Sequence, residues 1–135
     1  MPARAKGIKM MYGALTKGIA AIATELLVAA QRMGLYQALI DELAGGQATL
    51  LRRIERTLLT MPTRSRRWVG EMEEIARTFA GVGLTPKILA GAADMYRFVG
   101  ETDLAERTPE DPDPLPTLSQ MLPVLANYLQ KSQQD

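Results

Sequence analysis

A chain of 135 residues with 16 basic and 15 acidic side chains has the length of one domain, and its net charge of +1 sets up no global field to draw in a polyanion. It contains neither cysteine nor histidine. That excludes disulfides, thiolate nucleophiles, imidazole relays and metal sites built on sulfur or imidazole, leaves acid/base work to Lys, Asp, Glu or Tyr, and suits a reducing, cytoplasmic setting.

Ile8, Tyr12, Leu15, Ile19, Ile22, Leu26, Ala29 and Met33 recur at alternating spacings of four and three. This pattern predicts a helix over residues 4 to 33 with a continuous apolar seam, closed by Gly34 as C-cap. Most positions outside the seam are apolar too, among them Met10, Met11, Ala14, Ala20, Ala21, Ala23, Leu27 and Val28. The helix is therefore expected to be wrapped by others. Gly13 and Gly18 each cost about 1 kcal/mol relative to alanine in a helix interior, and the expected return is close approach of a neighbouring helix or a ligand. The N-terminus lacks signal-peptide grammar, and the most apolar stretch, Gly18 to Ala30, is short for a bilayer and carries Glu25. No membrane partner is expected.

Four or five helices should follow. Leu35 to Ala44 ends at Gly45-Gly46; Ala48 to Met61 is amphipathic through Leu50, Leu51, Ile54, Leu58 and Met61, and Pro62 stops it. Thr63 or Ser65 can cap the next helix, whose stripe is Val69, Met72, Ile75, Ala76 and Phe79 and whose end is marked by Gly81 and Gly83. Thr85-Pro86 opens a helix with Ile88, Leu89, Ala92, Met95, Tyr96 and Val99 inward. No stretch alternates with period two for long enough to argue a strand, so the expected class is all-α, with a helical core over residues 1–100. Residues 101–116 are acidic and proline-rich and read as a linker that buries too little apolar surface to order. Residues 117–135 read as a docking helix: Thr117 and Gln120 resemble a capping box, Leu118, Leu122, Leu125, Tyr128 and Leu129 form the stripe, and Pro123 must kink or restart it. It would dock on its own domain or on a second copy.

The segment RRWVGEMEEIARTFAGVGL, Arg66 to Leu84, carries three glutamates beside arginines and a tryptophan. Helical spacing lets Arg67 pair with Glu71 and Glu73 with Arg77 on the outer surface, and Glu71 with Glu74 lacks the further ligands a metal needs. The arginines from Arg52 to Arg67 span two helices with one aromatic, Trp68, which does not make a groove-reading element, and no nucleic-acid partner is expected. A small anion held by Arg64, Arg66 or Arg67 stays open. Lys9 and Lys17 lie on an otherwise apolar helix, where burying an ammonium is costly unless it is paired or functional. Lys9, Gly13 and Lys17 are spaced by four, and Gly13 would leave room beside Lys9 for a substrate. The alternative is a lysine at the rim of the core with its ammonium in water.

KGIKMMYGALTKG (Lys6 to Gly18), the WVGEMEEIA run and AADMYRFVGE (Ala92 to Glu101) resemble the C-terminal domain of bacterial oxidoreductases related to 6-phosphogluconate dehydrogenase and the β-hydroxyacid dehydrogenases. The resemblance implies a helical bundle around one long N-terminal helix that closes an active-site cleft and builds a homodimer. It implies Lys9 as the proton-transfer residue, with Tyr12, Gly13, Lys17, Arg66 and Trp68 at the substrate. Where relatives of this kind carry asparagines three and four residues after the lysine, this chain has Tyr12 and Gly13. It also implies NAD(P), held by a Rossmann-type domain or subunit, because this chain has no G-x-G-x-x-G and should bind no cofactor alone. Two other functions remain open on the residues: a free-standing helical homodimer that binds a small molecule or catalyses a non-redox step between helices, and a structural dimerisation module.

Overall fold

Two glycines in the left-handed region, Gly34 at φ 71° and Gly83 at φ 91°, set where helices stop. At the first, Leu35 N donates to Ala30 O and Gly34 N to Gln31 O; at the second, Leu84 N donates to Phe79 O and Gly83 N to Ala80 O. Both are paired reversed bonds that satisfy the last helical carbonyls, and a side chain at either glycine would meet backbone strain. The computed structural model describes residues 2–134, so Met1 and Asp135 of the sequence-based division lie outside it. Among these residues there are six α-helices and no strand: α1 Pro2–Arg32, α2 Tyr36–Gly46, α3 Ala48–Thr60, α4 Ser65–Gly81, α5 Lys87–Gly100 and α6 Leu118–Gln134. A 3₁₀ turn at Pro62–Arg64 joins α3 to α4, and another at Asp103–Glu106 follows α5.

The predicted boundaries differ from these in ways that have local causes. α2 continues through Gly45 and Gly46 and ends at Gln47, whose N–H bonds to Leu43 O. Neither Thr63 nor Ser65 caps α4; both hydroxyls donate backward, Thr63 to Thr60 O and Ser65 to Pro62 O, and so complete the 3₁₀ turn instead. The Thr85 hydroxyl does accept from Lys87 N at the start of α5. At α6, Gln120 Oε1 accepts from Thr117 N, the returning half of a capping box. α6 runs through Pro123 unbroken. The proline forgoes one bond, to the carbonyl of exposed Ser119, where water can substitute.

α4 and α5 pack most closely, as a hairpin, and α1 lies across α5 and α6. The centre is filled by Leu27, Leu58, Met61, Met72, Tyr96, Val99, Met121, Leu122 and Leu125, all fully buried. α6 thus docks on its own domain. Residues 101–116 are not a free linker either: Thr102 is buried, Arg66 pairs with Glu106, and Arg107 donates to the carbonyls of Asp113 and Pro114. Leu104 packs against the core and the Arg66–Glu106 pair ties the segment to α4, while the Arg107 bonds fold it on itself.

The largest departure concerns α1. The face it turns to the core is Ala20, Ala21, Ala23, Thr24, Leu27, Val28 and Ala30, and small side chains there let α5 and α6 come close. The seam is on the outside. Ile8, Tyr12, Leu15, Ile22 and Met33 are each 59–69% exposed, so the expected wrapping of this helix by others is not met within one protomer. Ile88, predicted inward on α5, is also 66% exposed, while Ala93 takes a buried place beside Leu89 and Ala92. α1 is long and apolar enough to cross a bilayer; one face of its C-terminal half packs on α5 and α6.

Candidate functional site

α1 presents its lysines along one flank because four residues make slightly more than a turn. Lys9 and Tyr12 are exposed, and Gly13 and Lys17 are half-buried. Lys17 is held from three sides. Its ammonium bonds the Glu71 carboxylate of α4, stands 5.2 Å over the Trp68 ring, and its backbone carbonyl accepts from the Tyr96 hydroxyl of α5. Trp68 and Tyr96 meet edge to face, 5.2 Å between ring centres. Burial pushes the Tyr96 phenol well above the usual tyrosine range, since a phenolate there would lose its hydration.

The Lys17–Trp68 contact separates two grooves. On one flank of α1, Lys6, Lys9, Gly13 and Lys17 face Glu71 and Glu74 across an open space of about 230 Å³. Lys6 reaches Glu74 at 3.9 Å and Lys17 is bonded to Glu71, whereas Lys9 makes no ion pair among the described residues. A Cβ at Gly13 would meet nothing within 4 Å, so the space beside Lys9 is open in this chain. On the other flank, Tyr12, Leu15, Ile19, Arg53, Thr57 and Trp68 contribute to a cleft of about 220 Å³.

The predicted site residues are thus divided. Lys9, Gly13 and Lys17 share the first groove; Tyr12 and Trp68 line the second, with Lys17 on the border. Arg66 lines neither. Its Nε donates to Gly100 O at 2.9 Å and its guanidinium pairs with Glu106, which ties the start of α4 to the end of α5 and the strap. Gly100 permits this approach, because a Cβ there would stand 3.0 Å from Arg66 Cγ. The glutamates of the quoted segment look inward as well as along their helix: Glu71 takes both Lys17 and Arg67, and Glu73 pairs with Arg97 of α5 instead of Arg77. Arg53 and Thr57 were missed as a pair, although their i, i+4 spacing on α3 places both on one flank beside Ile54.

The model of a domain of unknown function, DUF1932, matches residues 30–99. No curated protein matches the chain. A crystal structure of a conserved hypothetical protein from Sinorhizobium meliloti 1021 is similar at a TM-score of 0.76 and 23% identity, over 95% of this chain. This chain spans 42% of that protein's length. The likeness is one of fold, and it takes in most of α1, whose first 28 residues precede the part the family model matches.

Proposed function

The chain belongs to the DUF1932 family, a helical domain that stands C-terminally in proteins like the 6-phosphogluconate and β-hydroxyacid dehydrogenases, and from that premise we propose that it is the substrate-binding and dimerisation domain of an NAD(P)-dependent oxidoreductase. The described residues include no strand and no glycine-rich turn leading from a strand into a helix, the elements from which a Rossmann-type pyrophosphate site is built, which supports a reading in which this domain does not hold the dinucleotide itself. The nicotinamide would be brought by a separate Rossmann-type domain or subunit. Lys9 is the proton-transfer group in this reading. The observation that carries it is the asymmetry in the first groove, where Lys6 and Lys17 are paired to carboxylates and the lysine between them, beside the vacant space at Gly13, is not. A second domain closing over Lys9 would bring the substrate's hydroxyl within reach of its amine for proton transfer. Gly13 and Lys17 would then contact substrate from the same flank.

The test is Lys9→Ala in a protein that joins this domain to a dinucleotide-binding domain, assayed with a panel of hydroxy acids. The expected result is a loss in kcat of about 10²- to 10⁴-fold with nicotinamide affinity unchanged; an unchanged kcat would reject the assignment. For the present chain alone, NADH should give no saturable change in the fluorescence of Trp68, its one tryptophan.

A further inference from the structure

Lys17 lines both grooves, and what holds its ammonium there comes from another helix. A lysine carries three N–H donors at the end of a flexible four-carbon stem, so an unrestrained ammonium samples many positions. Here the side chain is only 25% exposed, the Trp68 ring lies 5.2 Å from the ammonium, and the Glu71 carboxylate takes one of its hydrogens. Trp68 and Glu71 stand three residues apart on α4, a spacing that brings both to one face of the helix. The backbone beneath is fixed too, since the Tyr96 hydroxyl of α5 donates to the Lys17 carbonyl. Of the two α4 partners, Glu71 supplies the direction. The face of a ring lets a cation slide, whereas a hydrogen bond to a carboxylate sets one N–H vector. Arg67, the other cation beside Glu71, is 3.8 Å away and 70% exposed, and competes weakly for it.

We propose that Glu71 is a positioning residue for the first groove: it clamps the Lys17 ammonium against Trp68 and so offers the remaining N–H donors of Lys17 to substrate from a fixed place. This rests on the reading that Lys9 and Lys17 serve one substrate. Glu71 itself touches no substrate and moves no proton. Its effect falls on binding, because a donor held ready beforehand serves ground state and transition state alike. The clamp also commits the charge of Lys17, which leaves Lys9 as the free cation for chemistry.

Two measurements test the clamp, and the first needs no substrate. In the present chain, Glu71→Gln and Lys17→Met should each change the emission of Trp68, the one tryptophan, and the double variant should change it no further, because both remove the same ammonium from the ring. Arg67→Gln should leave the emission as in the wild type. In the protein joined to a dinucleotide-binding domain, Glu71→Gln should raise KM for the hydroxy acid about tenfold with kcat held within about threefold. Added to Lys17→Met, it should raise KM no further. Circular dichroism checks that each variant is folded. Emission indifferent to Glu71→Gln, or KM effects that simply multiply in the double variant, would overturn the positioning role. A Lys9→Ala variant that keeps its kcat would instead reject the redox reading, and the emission cycle would still decide whether Glu71 holds Lys17.

Discussion

Tyr96 is fully buried with its hydroxyl on the Lys17 carbonyl, and that single bond ties α5 to the middle of α1. Because the carbonyl belongs to a helix interior and keeps its intrahelical partner, Tyr96→Phe should cost only about 0.5–1.5 kcal/mol, measured by chemical denaturation. The same residue sets an alkaline limit. Its phenol titrates near 10 when unfolded and higher when folded. Above pH 10 the unfolded chain therefore holds fewer protons than the native one, and stability falls as pH rises toward the folded value. Below pH 10 this contribution is fully present. Comparing denaturation at about pH 8 and about pH 11 should show a steeper loss in the wild type than in Tyr96→Phe; equal losses would mean that the phenol is not the group responsible. At this scale the sequence was only partly readable. The line of Lys9, Gly13 and Lys17 follows from helical spacing alone, but the partner of Lys17 lies 54 positions away and that of Arg66 is a backbone carbonyl 34 positions away. No local pattern encodes either.

Among the helices, glycine serves two opposite purposes that substitution can separate. Gly34→Ala and Gly83→Ala force a side chain into the left-handed region and should each destabilise by about 1–2 kcal/mol. Gly13→Ala, in a helical position with open space, should stabilise the isolated chain by up to about 1 kcal/mol in thermal denaturation. A destabilised Gly13→Ala would mean that something already occupies the space beside Lys9. Arg66→Ala should leave the core folded but free the strap, read as faster proteolysis within residues 101–116. Helix ends at Gly34, Gly83 and Thr85 were legible because each depends on neighbours in the chain. The caps expected of Thr63 and Ser65 were not, since a hydroxyl that can accept from the next helix can equally donate to the preceding turn. The ordering of the strap also lay beyond composition, because it rests on the burial of Thr102 and Leu104 and on specific bonds of Arg66 and Arg107 to distant or non-helical partners.

For the molecule as a whole, the outward seam of α1 is the feature that asks for a partner. It repeats every 3.5 residues along a helix about 46 Å long, the period at which one helix stays in register with another. Beside it, Gly18 and Gly91 belong to a shallow notch flanked by exposed Ile22 and Ile88. A second copy would bring its own seam to the same surface, as a two-fold interface requires. Ile22→Glu should therefore shift the protein to monomer in sedimentation velocity without disturbing the protomer fold; a wild type that is monomeric at high concentration would refute the dimer. That the sequence does not tell which cover the seam receives has a physical origin. A helix apolar on nearly every side announces that all its faces are covered, but it does not say which cover belongs to its own chain.

Tyr12, Leu15 and Ile19 are members of that seam and also walls of the cleft beside Trp68. A second copy seated on the seam would therefore cover three walls of that cleft, and linkage would make the effect mutual: whatever such a partner does to a ligand held there, the ligand would return to the association.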